Sequence, residues 1–201
     1  NCLLLKKIAE ENNWEYEELK KTYLKNKIHF GLMGKIEKRK HTLKIIKLWA
    51  EKYGNNPDYQ LTCLINNPFL KREQVASDIS KALGSETYKN INFLPFLNKN
   101  SEVNELLNSI NIDLTGLSGA EGWNLPAFNA TCLGKWSVVL NSTSHKDWAD
   151  QSNSILVEPS GKIDAYDDLF FLQLHCANYK WFKRFGDLIR KRRRVACCCE
   201  T

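Results

Sequence analysis

From Lys27 to Val157 short apolar runs alternate with amphipathic runs, and this alternation constrains the fold more than any other feature of the chain. Lys27–Met33 reads as a strand closed by Gly34. Thr42–Tyr53 reads as a helix: Leu43, Ile46, Trp49, Ala50 and Tyr53 share one face, and Gly54 stops it. Tyr59–Ile65 is a strand, Asn66–Pro68 a turn, and Arg72–Leu83 a helix stopped by Gly84. Ile91–Leu97 is a strand and Glu102–Ile110 a helix capped by Ser101. Ile112–Leu117 is a strand, Pro126–Leu133 a helix stopped by Gly134, and Trp136–Leu140 a strand. His145–Ala149 is a short helical piece and Ile155–Val157 a last strand. The pattern predicts a doubly wound, Rossmann-like α/β fold, a parallel sheet of about six strands with helices on both faces and right-handed crossovers.

Three regions follow. Residues 1–26 read as an N-terminal helical segment, 27–168 as the Rossmann-like domain, and 169–201 as a basic tail, helical or disordered. From Leu172 on, strand and turn logic gives way to a run that fits an amphipathic helix through Arg194. The first residue is Asn1 in place of Met, which reads as a fragment. At 43% hydrophobic and 26% charged, the composition is that of a soluble globular protein. No apolar run reaches the roughly 18 residues a membrane helix needs, and Leu3–Leu5 is shorter than the about 7 to 15 apolar residues of a signal peptide.

The net charge is +6, and Arg190–Arg194 supplies +5 of it, leaving +1 for everything else. That argues against a basic nucleic-acid face on the folded body. It leaves the tail as a solvated run, with contact to an anionic membrane surface as the other role open to it. Of the seven cysteines, Cys2, Cys63, Cys132 and Cys176 sit in apolar settings and read as small buried hydrophobes. Cys197–Cys199 lack the gap of a zinc motif and have no nearby histidine. Free thiols suit a reducing, cytoplasmic setting.

Two loops carry chemistry, and both follow strands, so both open on the same edge of the sheet. In the first, Gly34–Lys40, glycine turns the chain tightly and Lys35 and Lys40 are mobile charges able to reach phosphate oxygens. The second, Gly116–Gly122, places small residues and Glu121 where a helix begins, a setting that favours an anion and, beside it, sugar hydroxyls. Its glycine spacing departs from the G-x-G-x-x-G dinucleotide fingerprint, and it lies late in the sheet. Plain readings stand beside these: a solvated basic turn for the first loop, a capped strand-to-helix turn for the second. His145 and Asp147 read as a surface imidazole and a helix cap. The body holds no Asp-x-Asp pair for a metal.

Taken in order, Gly34-Lys-Ile-Glu-Lys-Arg-Lys40, Glu121-Gly-Trp-Asn-Leu-Pro126 and Cys132-Leu-Gly-Lys-Trp-Ser-Val-Val139 resemble retaining glycosyltransferases of the GT-B fold. The likeness is to group 1, family four, whose signature is Glu, seven residues, Glu, and it spans roughly residues 28–168. It implies half of a GT-B architecture: the C-terminal, nucleotide-sugar-binding domain of a metal-independent hexosyltransferase that needs no cofactor beyond its donor. The missing N-terminal domain would carry the acceptor pocket, for a glycan, lipid or protein, so the chain is expected to transfer nothing alone. By the same resemblance Gly34, Lys35 and Lys40 meet the donor's phosphates, with Lys35 standing where arginine is commoner. Glu121 meets the sugar's hydroxyls, Gly119 belongs to the donor-binding set, and Gly122, Trp123, Asn124 and Leu125 bring backbone amides toward the diphosphate and sugar. Glu121, Lys35 and Lys40 carry the catalysis. The second signature glutamate falls at Asn129, which can hydrogen-bond a ribose without charge assistance. The alternative is a non-catalytic doubly wound nucleotide-binding module.

Overall fold

A computed structural model describes residues 27–164 and 175–178, together with Lys6, Glu10 and Glu15. The expected helical segment 1–26 otherwise lies outside the described residues, as does most of the tail. Lys6 pairs with both carboxylate oxygens of Glu105 at 3.0 Å.

Six strands form one parallel sheet: β1 (Ile28–Gly34), β2 (Tyr59–Ile65), β3 (Ile91–Phe93), β4 (Ile112–Asp113), β5 (Trp136–Leu140) and β6 (Ser154–Val157), in the order β3-β2-β1-β4-β5-β6. Helices α1 (Thr42–Tyr53), α2 (Arg72–Ala82), α3 (Asn100–Ser109) and α4 (Leu125–Cys132) supply the crossovers between the first five strands. This is the doubly wound, Rossmann-like architecture expected from the alternation.

The core forms because parallel strands must bury both faces. Phe30 and Leu32 of β1, Leu61 and Cys63 of β2 and Val138 and Leu140 of β5 are almost wholly buried. From α1, Ile45, Ile46, Trp49 and Tyr53 pack down onto them. Phe30 meets Trp49 edge-on at 5.9 Å and stacks with Tyr53 at 5.6 Å. A smaller cluster of Met33, Leu97, Leu106, Leu107, Ile110 and Ala130 brings α3 and α4 together. Each buried Val, Leu, Ile, Met or Phe side chain contributes about 1.5–3 kcal/mol.

Several elements differ from the sequence reading, each for a local reason. The third strand stops at Phe93, two residues ahead of Pro95, which has no N–H for a ladder. The helix expected to start behind a Ser101 cap begins at Asn100, and the Glu102 carboxylate accepts the Lys99 N–H at 3.2 Å. The strand expected over Ile112–Leu117 ends at Asp113. That carboxylate accepts both the Thr115 N–H, at 3.1 Å, and its hydroxyl, at 2.6 Å, and so draws Thr115–Leu117 into a 3₁₀ turn. Beyond β6, strand β7 (Gly161–Asp164) pairs antiparallel with β8 (His175–Asn178), where an amphipathic helix was expected. Gly161–Asp164 and His175–Asn178 are too short for a period to distinguish helix from strand, and a pairing partner decides it. Cys63 is buried as expected, and desolvation pushes its thiol up, but Cys132 lies exposed at the end of α4.

Candidate functional site

The sheet order reverses direction between β1 and β4. From β1 the chain crosses outward to β2, and from β4 it crosses the other way to β5. In open α/β sheets the crevice outside the carboxyl ends at such a point is where ligands bind. The loops leaving these two strands are 34–41 and 114–124, and they contain the two stretches singled out by sequence, Gly34–Lys40 and Gly116–Gly122.

They are fastened to each other. The Arg39 carbonyl accepts the Gly119 N–H at 2.7 Å, and the Arg39 guanidinium donates to the Ala120 carbonyl. His41 Nδ1 lies 3.0 Å from the Leu117 carbonyl and donates to it. Gly34 opens the first loop at φ 122°, a conformation side chains rarely permit. Lys38–Lys40 then form one 3₁₀ turn, and His41 starts α1 in the left-handed region at φ 55°. Across the junction Lys40 Nζ donates to Glu121 Oε1, Ser118 Oγ donates to the same oxygen at 2.7 Å, and Arg39 Nη1 stands 3.3 Å away. The Glu37 carboxylate holds Arg39 Nε at 2.9 Å.

The electrostatics follow from that packing. Burial alone pushes the Glu121 carboxyl up, but Lys40, Ser118 and Arg39 outweigh it and hold the group below the ordinary carboxylate range. Glu121 is thus an ionised, acceptor-only group at the crevice, 10% exposed, beside an ammonium 18% exposed. An ammonium with three donors can take phosphate oxygens, and a carboxylate can accept sugar hydroxyls.

The expected residues divide into those brought together and those set apart. Lys40 and Glu121 converge. Lys35 does not join them: it is exposed at the loop's outer side, its Nζ 5.2 Å from the centre of the Phe69 ring. The second cation beside Glu121 is Arg39, which the sequence reading passed over. Gly119 is buried and its amide is taken by Arg39, so it does not offer that N–H outward. Gly122 is exposed with open space around it, Trp123 is 40% exposed and Leu125 61%. Asn124 is buried at φ 63°, its amide donating to the Thr115 carbonyl and to His145 Nε2, each at 3.0 Å. Asn129 lies exposed on α4.

His145 is not a surface imidazole. It is fully buried, and burial holds its pKa below the ordinary histidine value. Because Nε2 accepts from Asn124, the proton sits on Nδ1 and is donated to the Leu140 carbonyl at 2.9 Å. Asp147 is exposed in the 3₁₀ turn Thr143–Asp147.

No protein-family model matches the chain, and no curated protein sequence matches it. Solved structures do. The C-terminal domain of the glycosyl transferase group 1 family protein LpcC from Francisella tularensis matches with a TM-score of 0.53 at 23% identity, over 66% of this chain and 68% of that one. HepE from Anabaena, solved with UDP and glucose, matches at 0.55 and 16% identity, over 78% of this chain and 38% of that one. A UDP-forming trehalose-phosphate synthase from Burkholderia xenovorans, solved with glucose-6-phosphate, matches at 0.55 and 12% identity, over 78% and 37%. The chain thus spans most of an isolated C-terminal domain and under two fifths of the longer enzymes. At these identities the likeness establishes the fold: a Rossmann-like domain of the kind that forms the C-terminal half of GT-B glycosyltransferases.

Proposed function

We propose that this chain is the donor half of a retaining, metal-independent glycosyltransferase and binds a nucleotide-diphosphate sugar. The observation that carries the reading is the Lys40–Glu121 contact at the reversal of the sheet order. It sets a phosphate-seeking ammonium beside a hydroxyl-seeking carboxylate where doubly wound sheets take ligands. The fold shared with LpcC, and with HepE solved with UDP and glucose, supports it.

In this reading Lys40, with Arg39 behind it, meets the diphosphate and stabilises the charge that develops as the glycosidic bond breaks. Lys35 swings from the Phe69 face to serve as a second, outer cation. Glu121 accepts hydroxyls of the donor sugar and Asn129 hydrogen-bonds the ribose. The acceptor pocket belongs to a partner GT-B domain, so the purified chain binds donor and transfers nothing.

Calorimetry with UDP, GDP and UDP-glucose tests this. One of the diphosphates is expected to bind, Lys40→Ala to weaken it, and Glu121→Ala to remove the gain that the sugar adds. Binding of NAD or FMN with no response to any of the three probes overturns the reading in favour of a non-catalytic nucleotide module. Sugar transfer by the purified chain overturns the claim that it needs a second domain.

A further inference from the structure

Three consecutive side chains of the turn after β5 grip the Glu121 loop. Thr143 Oγ1 accepts the Glu121 N–H at 3.4 Å, Ser144 Oγ donates to the Glu121 carbonyl at 2.9 Å, and His145 Nε2 accepts from the Asn124 amide at 3.0 Å. His145 is itself tied to the sheet, because Nδ1–H donates to the carbonyl of Leu140, the last residue of β5. The edge of Trp148 closes over it at 5.8 Å between ring centres. Both ring nitrogens are therefore used, one toward the sheet and one toward the loop. Asn124 depends on the second bond, since its left-handed backbone is held by the two hydrogens of its amide, one on His145 and one on Thr115.

We propose that His145 is a positioning residue for the sugar donor: through Asn124, with Ser144 acting on the Glu121 backbone, it fixes the Glu121 carboxylate where the donor's sugar hydroxyls meet it. This rests on the nucleotide-sugar reading above and adds to it a residue that touches no part of the donor. The tautomer makes the role specific. One donor faces Leu140 and one acceptor faces Asn124, so a side chain lacking either function loses one end of the link.

The test is calorimetry on the full chain with UDP and UDP-glucose. Wild type is compared with His145→Ala, Glu121→Ala and the double variant. His145→Ala is expected to weaken UDP-glucose about 10-fold, the worth of one buried hydrogen bond, and to leave UDP within about 2-fold. In the Glu121→Ala background it is expected to have no further effect on UDP-glucose, since it acts through that carboxylate. Equal losses for both ligands, or additive losses in the double variant, overturn the proposal. Should His145→Ala not fold, Ser144→Ala removes the neighbouring bond to the Glu121 carbonyl and is expected to reproduce the selective loss. Should wild type bind neither probe, the donor reading fails by itself, and the positioning is read from backbone amide NMR. Ser144→Ala must then move the Glu121 and Gly122 resonances while Gly34 stays in place. A Glu121 resonance that does not move overturns the proposal.

Discussion

Lys40 and Glu121 stand 81 residues apart in the chain and meet in one ion pair that spans the gap between the loops leaving β1 and β4. Arg39 and His41 fasten the backbones, and the ion pair sits on that junction.

Lys40→Ala is expected to weaken UDP binding by about 10- to 100-fold, the range for losing one charge-assisted hydrogen bond. Lys40→Arg keeps the charge and is expected to recover part of the loss. Calorimetry at fixed ionic strength checks both.

Gly116 and Gly122 bracket the second loop and predict opposite outcomes. A Cβ on Gly116 would lie 2.6 Å from the Val138 carbonyl and 2.8 Å from Val139 Cγ2, against β5 itself. Gly116→Ala is expected to cost about 1–3 kcal/mol in denaturant unfolding. A Cβ on Gly122 meets nothing within 4 Å, so Gly122→Ala is expected to stay within about 0.5 kcal/mol.

Acid destabilises this fold through its buried histidines. His29 lies between the Ser109 carbonyl and the Thr62 hydroxyl, and burial lowers both it and His41 to about 4. A depressed histidine pKa stabilises the fold fully above the unfolded value near 6.5, and that stability drains away as pH falls toward 4. By pH 5.5 each has given up about 1.4 kcal/mol. Asp113 opposes them: burial raises it to about 6, so its protonation in the folded state returns about 1 kcal/mol over the same window. The histidines win, and the denaturation midpoint is expected to drop between pH 7 and 5.5. His29→Gln is expected to flatten that slope.

Asn129 stands where the resemblance calls for a second glutamate. It is exposed on α4 and free of core packing constraints, so Asn129→Glu is expected to leave stability unchanged and to tighten UDP about 3- to 10-fold, charge-assisted bonds being roughly twice as strong as neutral ones. The gain is expected to vanish with 2′,3′-dideoxyuridine diphosphate, which lacks the hydroxyls.

Much of the fold was legible because it is written in local periodicity. The bounds of α1, β2 and β5 match the sequence reading, each being a run whose apolar spacing and flanking turns agree. The rest depended on partners distant in sequence. Asp113 converts the end of β4 into a turn by bonding Thr115, which no period reveals. Arg39 sits between two lysines that looked equally basic, and only the 3₁₀ turn decides which of the three cations face Glu121. His145, flanked by Ser144 and Lys146, has the neighbours of a surface residue; Asn124, 21 positions earlier, is what draws it inside.

The fastening of loop 34–41 to loop 114–124, and of both to the turn at Thr143–His145, also bears on biosynthesis. A nascent chain cannot join Lys40 to Glu121 until residues through Glu121 have left the ribosome, and cannot brace that loop from Thr143–His145 until those residues follow, because each cross-link waits on a segment made later. Such late, non-local closure lengthens the interval in which the apolar strands are unprotected. Translation products halted before that point would present sheet edges to the cell and leave the Glu121 loop without its bracing.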